Sequence, residues 1–258
     1  MIKFFRRIRQ QLLHENKLRK YLLYALGEIF LVVIGILIAL QLNNWNESRI
    51  DRKKERQVVQ NIYTELDQNL EYSQNILAEI EKRTLSATTL MEHTSREVQT
   101  ITASTFDSIM IQAFLFPPYT PIKADLERVL GSEQIDLITS TELQYRLSDY
   151  KTSIDEAALY YRYAEDDFKL LILPYFMKNY PLKTLLLEYG LKVPPSRHKT
   201  LHTDLLASRE FENILSVIFA DSVGQLQVIN ANLNLIQSIK DLIENQYPSV
   251  VSRTDGQS

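Results

Sequence analysis

Hydrophobic residues follow two patterns along the chain: one unbroken apolar run near the N-terminus, then several stretches with helical periodicity. The run covers residues 22–42 and contains a single charged residue, Glu28. At ~1.5 Å per residue, a helix of this length extends over about 30 Å, the thickness of a bilayer hydrocarbon core. The pattern therefore predicts a transmembrane helix over residues 21–45.

Aromatic residues at both ends of the run agree with this prediction. Tyr21 and Tyr24 lie at its start and Trp45 follows its end, and Tyr and Trp concentrate at membrane–water interfaces. A cleavable signal peptide is the main alternative. Its apolar region is typically ~7–15 residues and is followed by a small-x-small cleavage site, which the segment IALQLNNW lacks. We therefore expect an uncleaved signal-anchor.

After the run, apolar residues recur every three or four positions in three long stretches, residues 47–98, 141–178 and 208–246. This spacing is typical of amphipathic helices that bury one face. Polar residues interrupt the seam of the first stretch, which favours a bundle helix over an isolated coiled coil. The chain is thus predicted to be all-α, with the transmembrane helix followed by an antiparallel helical bundle over residues 46–248 and a flexible tail over 249–258.

Proline and capping residues predict the breaks between these helices. The segment FPPYTPIK, residues 116–123, excludes a continuous helix because each proline lacks a backbone N–H, and residues 179–207 are expected to be irregular. The predicted boundaries are an N-cap at Ser104, a helix start at Thr120 and Pro121, a capping box of Thr141 with Gln144, and a kink or end at Pro174.

Charge is distributed unevenly. Residues 1–20 have a net charge of +6 and the rest of the chain −9. Basic segments beside a membrane helix are attracted to anionic lipid headgroups by ~1 kcal/mol per residue, whereas an acidic domain repels nucleic-acid phosphates. A lipid bilayer is therefore an expected partner and nucleic acid is not. The residues predicted to face the headgroups are Lys3, Arg6, Arg7, Arg9, Lys17, Arg19 and Lys20.

Basic residues also bias the orientation. Seven precede the apolar run and five follow it within residues 43–56, and cytoplasmic flanks carry the excess of Lys and Arg. We expect an inner (plasma) membrane protein with a cytoplasmic N-terminus and a periplasmic C-terminal domain.

Glu28 lies about 9 Å into the apolar run. An ionisable residue at this depth can meet a polar group of a partner helix within the membrane. It can equally extend toward the nearby headgroups as a residue of the membrane rim. Both interpretations stay open, and Glu28 is a candidate intramembrane contact.

Few residues suggest chemistry. The chain has no Cys, which excludes thiolate catalysis and Cys-based metal sites. His198 and His202 have a metal-ligand spacing but follow two prolines and lack a third ligand. Consecutive acidic residues at 165–167 point in different directions on a helix. We therefore predict no catalytic, cofactor or metal site, and no enzyme.

A tyrosine-rich segment is the best candidate for binding. Tyr160, Tyr161 and Tyr163 combine apolar rings with polar hydroxyls, which suits a ligand pocket or a partner surface. Packing in the core and at its rim is the alternative interpretation.

The N-terminal residues resemble an uncharacterised family of single-span proteins of Bacteroidota-type bacteria. The shared pattern is GEIxLVVIGILIALQxNNW, carried here by Gly27, Glu28, Ile29, residues 31–41, Asn43, Asn44 and Trp45. The segment ADLERVLGSEQIDLITSTELQYRLSDY, residues 124–150, resembles a second signature of that family. The resemblance implies an inner-membrane protein with a helical extracytoplasmic domain, and no known activity.

These observations predict a single-pass, membrane-anchored helical protein that acts as a binding, interaction or sensor-like module of the cell envelope. The alternative is an accessory subunit of an envelope or transport complex that meets its partner through the membrane helix. A protein partner or a homo-oligomer is expected in either case.

Overall fold

The computed structural model describes residues 18–96, 100–198 and 200–251. The predicted headgroup residues Lys3, Arg6, Arg7, Arg9 and Lys17 lie outside the described residues, as do the side chains of Arg19, Lys20, Tyr21 and Tyr24.

Helices make up the regular structure throughout the described residues, without a strand, so the prediction of an all-helical chain is confirmed. The described residues form nine α-helices, joined in places by a 3-10 and a π segment. In chain order they are α1 (Leu18–Thr94), α2 (Ala103–Phe114), α3 (Ala124–Leu130), a 3-10 helix (Glu133–Leu137), α4 (Thr141–Asp167), a π segment (Phe168–Ile172), α5 (Leu173–Asn179), α6 (Leu182–Glu188), α7 (His202–Leu206), α8 (Arg209–Gln246) and α9 (Pro248–Val251).

The chain divides into two compact units, Met1–Glu55 and Arg56–Ser258. In the first unit, the large apolar side chains over residues 29–42 are all exposed. Two helices of the described chain, α1 and α8, are long and apolar enough to cross a membrane by length and composition alone. The apolar window of α1 is 0% buried and that of α8 is 33% buried. Partial burial is what a core helix shows, so α1 is the better candidate for a membrane span.

The second unit, which we call the helical domain, has three clusters of buried apolar side chains. One surrounds Phe106, Phe176 and Phe211, a second includes Leu66 and Ile239, and a smaller third includes Tyr161. The periodic stretches supply most of these residues, as their spacing predicts. Helices α4 and α8 pack extensively against each other.

Two predicted N-caps are wrong by one or two residues. Helix α2 is capped by Thr102 instead of Ser104, and α4 by Ser140 instead of Thr141. In both helices the hydroxyl accepts a hydrogen bond from the backbone N–H three residues later, at 3.2 Å. An earlier hydroxyl with this geometry lets the helix begin sooner. Gln144 instead donates to the carbonyls of Ile135 and Ile138.

Helix α3 begins at Ala124, three residues after the predicted start at Pro121. Its first N–H groups are capped from another helix, because the carboxylate of Glu65 accepts hydrogen bonds from the N–H groups of Asp125 (2.7 Å) and Leu126 (3.1 Å). This cap from a distant helix determines where α3 begins, and it cannot be recognised from the sequence around Ala124.

Residues 179–207 are not wholly irregular, since they contain the short helices α6 and α7. Helix α6 ends where Gly190 adopts φ +88°, a left-handed conformation that suits glycine. The N–H of Leu191 then donates to the carbonyl of Leu186 at 2.9 Å and turns the chain back onto the helix.

Pro174 neither ends nor breaks its helix. Proline has no N–H to donate, and the preceding π segment accommodates this gap in the helical hydrogen bonds. The N–H of Leu173 donates to the carbonyl of Phe168, five residues earlier. The extra residue rotates the buried face, so Ile172 is fully buried while the neighbouring Leu171 is 46% exposed.

The C-terminal end also differs from the prediction. Pro248 begins the short helix α9 instead of a flexible tail, and Val250 is buried against the second core cluster. Residues 252–258 of the predicted tail lie outside the described residues.

Candidate functional site

A cleft of about 740 Å³ opens in the helical domain between the loop after α2 and the α4–π region. Pockets that hold small ligands typically have volumes of ~300–1,000 Å³. We call it the aromatic cleft, because five aromatic rings line it: Phe114 and a group of four, Phe116, Tyr119, Tyr161 and Phe168.

The four rings contact one another in sequence. The ring centroids of Tyr119 and Tyr161 are 5.6 Å apart, those of Phe116 and Tyr161 5.8 Å, and those of Phe116 and Phe168 6.5 Å. Aromatic pairs at these separations attract each other beyond their hydrophobic burial. The result is a continuous aromatic wall.

Polar contacts hold the proline-rich loop in place behind this wall. The hydroxyl of Tyr119 lies 3.1 Å from the hydroxyl of Ser73, and Asn232 Nδ2 donates to it at 3.3 Å. The side chain of Asn69 bonds both the N–H and the carbonyl of Ile122. These bonds connect a segment that cannot form a helix to α1 and α8, so the rings are fixed in position.

Three charged residues line the aromatic cleft. Lys169 and Glu165 form an ion pair at 2.5 Å, whereas Arg162 is exposed and forms no ion pair with any residue in the described ranges. The lining of the cleft therefore carries a net charge of +1.

Arg83 of α1 is buried behind the aromatic wall, with 1% of its surface exposed. Its Nε donates to the carbonyl of Ala113 at 3.2 Å, and its Nη1 donates to Ser222 Oγ at 3.2 Å and Gln225 Oε1 at 3.4 Å. The guanidinium carbon lies 5.4 Å from the centroid of the Phe116 ring, a cation–π distance.

Burial lowers the pKa of Arg83 to about 10, because desolvation disfavours the charged form, while Asp221 and then Tyr161 favour it. The guanidinium therefore stays charged at neutral pH. A buried charge of this kind needs partners, since an uncompensated one is costly.

Several polar atoms in this region lack a hydrogen-bond partner among the described protein atoms. They are Arg83 Nη2, Tyr161 OH, Asp221 Oδ2, Gln225 Nε2 and Asn232 Oδ1. Each such buried atom costs ~1–3 kcal/mol when it stays unbonded. Their concentration beside the aromatic cleft marks a region that favours added polar groups from water or a ligand.

Asp221 is the carboxyl group of this cluster whose pKa is shifted. Burial and, second, the charge of Asp167 raise its pKa to about 6, and Arg83 opposes this shift. Tyr161 has its pKa raised as well, first by burial and then by the neighbouring Tyr119 and Tyr72. Its hydroxyl is therefore protonated and available as a hydrogen-bond donor.

The structure separates the three tyrosines that were predicted to share one surface. Tyr161 lines the aromatic cleft, and Tyr163 is 56% exposed outside it. Tyr160 packs on α8, because a Cβ placed on Gly224 would lie 3.2 Å from its Cδ1. Tyr161 points about 100° away from Tyr160 and about 160° away from Tyr163, so a surface that contains Tyr161 excludes the other two.

The predicted membrane residues lie in the first unit. Glu28 is partly buried and lines a shallow groove of about 350 Å³ with Ala25, Ile29 and Val32. Trp45 is 61% exposed, and the guanidinium of Arg49 lies 5.9 Å from its ring centroid.

The weaker candidates do not come together. His198 is exposed, while Nε2 of His202 lies 2.9 Å from the carbonyl oxygen of Ile101, with the ring 5.8 Å from Phe106. No group of three His, Asp or Glu within the described chain could hold a metal ion.

Arg83 is the residue that the sequence interpretation missed. Its position in the sequence could have indicated its burial. Ile76, Ile80, Ala87 and Leu90 repeat every three or four residues, and Arg83 occupies the core position in the middle of that series. An arginine at a core position requires buried partners, which α8 supplies.

Comparison with known proteins shows a similarity to a family but no activity. Residues 28–110 match the profile of a family of unknown function (DUF6090), and the match covers most of the apolar run, the rest of α1 and most of α2. No curated protein and no solved structure matches the chain.

Proposed function

We propose that this protein is a single-pass membrane protein whose helical domain binds a small organic ligand in the aromatic cleft, as a sensor-like module of the cell envelope. The observation that carries the proposal is the ring wall around Tyr161, backed by the buried, incompletely bonded Arg83. Aromatic walls with a few converging polar groups are the usual composition of ligand pockets. The proposed activity is binding.

Contacts between α1 and α8 support the antiparallel arrangement that the proposal includes. Tyr63 bonds Glu244 at 2.7 Å, Asp67 pairs with Lys240, and Arg83 bonds Ser222. Residue numbers therefore increase along α1 in the direction in which they decrease along α8. Two long helices joined in this way form a rigid frame on which a ligand site can be held.

Retention of a ligand tests the function. Ala158 is exposed and lines the aromatic cleft, and the neighbouring Leu159, 41% exposed, does not line it. Full-length protein, Ala158→Trp and Leu159→Trp would be extracted from native membranes in polymer-bounded lipid discs and analysed by mass spectrometry. We expect a stoichiometric organic molecule with the wild type and Leu159→Trp, and its loss from Ala158→Trp. Equal recovery from all three proteins would contradict the proposal.

The proposed orientation places the helical domain in the periplasm, with an inner-membrane span and a cytoplasmic N-terminus. It rests on the excess of basic residues before the apolar run. An alkaline phosphatase domain fused after Ser258 should be active. An inactive but well-expressed fusion would reverse the orientation.

A second candidate function is an accessory subunit of an envelope or transport complex that meets its partner through the membrane helix. The groove around Glu28, set in an otherwise apolar and exposed helix segment, favours it. Under this function, Glu28→Gln leaves membrane insertion intact and changes the proteins that co-purify after crosslinking. An unchanged set of proteins would leave Glu28 as a rim residue.

A further inference from the structure

A second pocket of about 390 Å³ adjoins the aromatic cleft. The two share the side chains of Phe114, Leu115 and Leu173, which line both. The far side of this second pocket, which we call the apolar arm, is formed by Leu186, Tyr189 and Leu191, and every residue that lines it is apolar or aromatic.

The fold builds the apolar arm by two local devices already described. The left-handed turn at Gly190 brings Leu191 back onto α6. The π segment allows the helix to pass Pro174 and continue, which presents Leu173 to both pockets. The arm is thus part of the folded framework. Two of the residues that line it are partly open to solvent, Leu186 at 41% and Tyr189 at 61% exposed.

Charge is confined to the other end of the combined site. Arg162, Glu165 and Lys169 line the aromatic cleft and are absent from the lining of the apolar arm. Since Glu165 neutralises Lys169, Arg162 leaves that end with a net charge of +1.

We infer that the two pockets form one site for an anionic amphiphile with a single hydrocarbon chain; this inference rests on the proposed ligand-binding function. The anionic head occupies the aromatic cleft near Arg162, and the chain lies in the apolar arm. A hydrocarbon chain suits an arm that offers no hydrogen-bonding group, because its burial removes apolar surface of both molecules from water. A fatty acid and a single-chain phospholipid share this chemistry.

Competition with a fluorescent fatty acid tests the inference. Full-length protein in discs of phosphatidylcholine would be titrated with 11-(dansylamino)undecanoate, and the signal of empty discs subtracted. Decanoate should displace the probe, while butanoate, which lacks the chain, and decanol, which lacks the charge, should each be at least ~10-fold weaker competitors. Comparing lysophosphatidylglycerol with decanoate as competitors distinguishes a single-chain phospholipid from a fatty acid, because the better competitor carries the head group that the site binds.

Two adjacent leucines of α6 supply matched variants. Leu186 lines the apolar arm and Leu187 does not, although they are exposed to nearly the same extent, 41% and 39%. Leu186→Glu should weaken probe binding at least ~10-fold, and Leu187→Glu should change it less than ~2-fold. Equal effects of the two variants, or equal competition by butanoate and decanoate, would overturn the inference.

Failure of this inference is distinguishable from failure of the proposed function. If Ala158→Trp loses its co-purified ligand while Leu186→Glu binds the probe as the wild type does, the aromatic cleft binds a ligand that is not an amphiphile. If Ala158→Trp also behaves as the wild type, both the function and the inference are wrong.

Discussion

At the scale of single residues, Arg83 is the most constrained side chain of the helical domain. It occupies a position that the periodicity assigns to the core, and three acceptors from α2 and α8 satisfy part of its guanidinium. An apolar residue would fill that position at a lower desolvation cost. The charged side chain is therefore stable at this position only while these acceptors remain in place.

Ser222 is the buried partner whose removal should weaken this arrangement. Its hydroxyl accepts from Arg83 Nη1 and donates to the carbonyl of Ile218. Ser222→Ala should lower the free energy of unfolding by about 1–3 kcal/mol, because the buried Arg83 Nη1 loses the nearer of its two acceptors. The control is Ser216→Ala on the same helix, which removes the same type of bond to a carbonyl four residues earlier at an exposed position. It should change the free energy by less than ~0.5 kcal/mol.

Thermal unfolding of the full-length proteins, followed by circular dichroism, measures both changes. A loss of 1 kcal/mol corresponds to about 2–4 °C in a chain of this size. Similar melting temperatures for the two variants would show that the Arg83–Ser222 bond contributes nothing specific.

Asp221 should make stability depend on pH. Its pKa is raised from 3.8 to about 6 in the folded protein, so folding favours the protonated carboxyl. This contribution is complete below about pH 4 and is lost as pH rises through about 6. Asp221→Asn replaces the carboxyl with an amide, which is neutral at every pH in this range. The variant should match the wild type near pH 4 and exceed its stability at pH 7.5 by on the order of 1 kcal/mol.

Asp241→Asn, exposed on the same helix, is the control for the loss of a carboxylate. Urea unfolding at the two pH values gives the comparison. If the difference between Asp221→Asn and the wild type were the same at both values, the carboxyl would not be the group that titrates.

At the scale of elements, periodicity predicts the long helices and fails for the short ones. The apolar repeats locate α1, α4 and α8, because burial of one face is encoded every three or four residues. Helices α6 and α7 are about one turn or two long, too short for a repeat to be recognised. The start of α3 depends on the distant Glu65. Such tertiary contacts override local signals.

The apolar segment of α1 makes a direct prediction about the membrane. Eleven Leu, Ile, Val and Phe residues between positions 29 and 42 contribute about 3–7 kcal/mol to insertion, and each Asp near the centre costs ~2.5–3.5 kcal/mol. Val33→Asp combined with Leu37→Asp should therefore remove most of the insertion free energy.

Asn44→Asp combined with Ser48→Asp, at the same spacing but beyond the apolar run, should leave insertion unchanged. Extraction of membranes with alkaline carbonate distinguishes integrated from released protein. Retention of the Val33/Leu37 variant in the pellet at the wild-type level would exclude this segment as the anchor.

At the scale of the whole molecule, the sequence predicts a membrane anchor and a helical domain but not the site. Tyr161 could be singled out because tyrosines cluster around it. Its ring partners Phe116 and Phe168 come from a proline-rich loop and a π segment, whose positions no periodic pattern specifies. The adjoining apolar arm depends on the turn at Gly190, which only the folded chain reveals.

The central claim is that a small molecule occupies the aromatic cleft in the native membrane, and photo-crosslinking in living cells tests it most directly. p-Azidophenylalanine in place of Phe168 puts the reactive group in the cleft, and the same residue in place of the exposed Tyr163 puts it on the same helical region outside the cleft. After irradiation, we expect a low-mass organic adduct on the peptide that contains position 168 and none at 163. A protein adduct at 168, no adduct there, or the same adduct at both positions would contradict the claim.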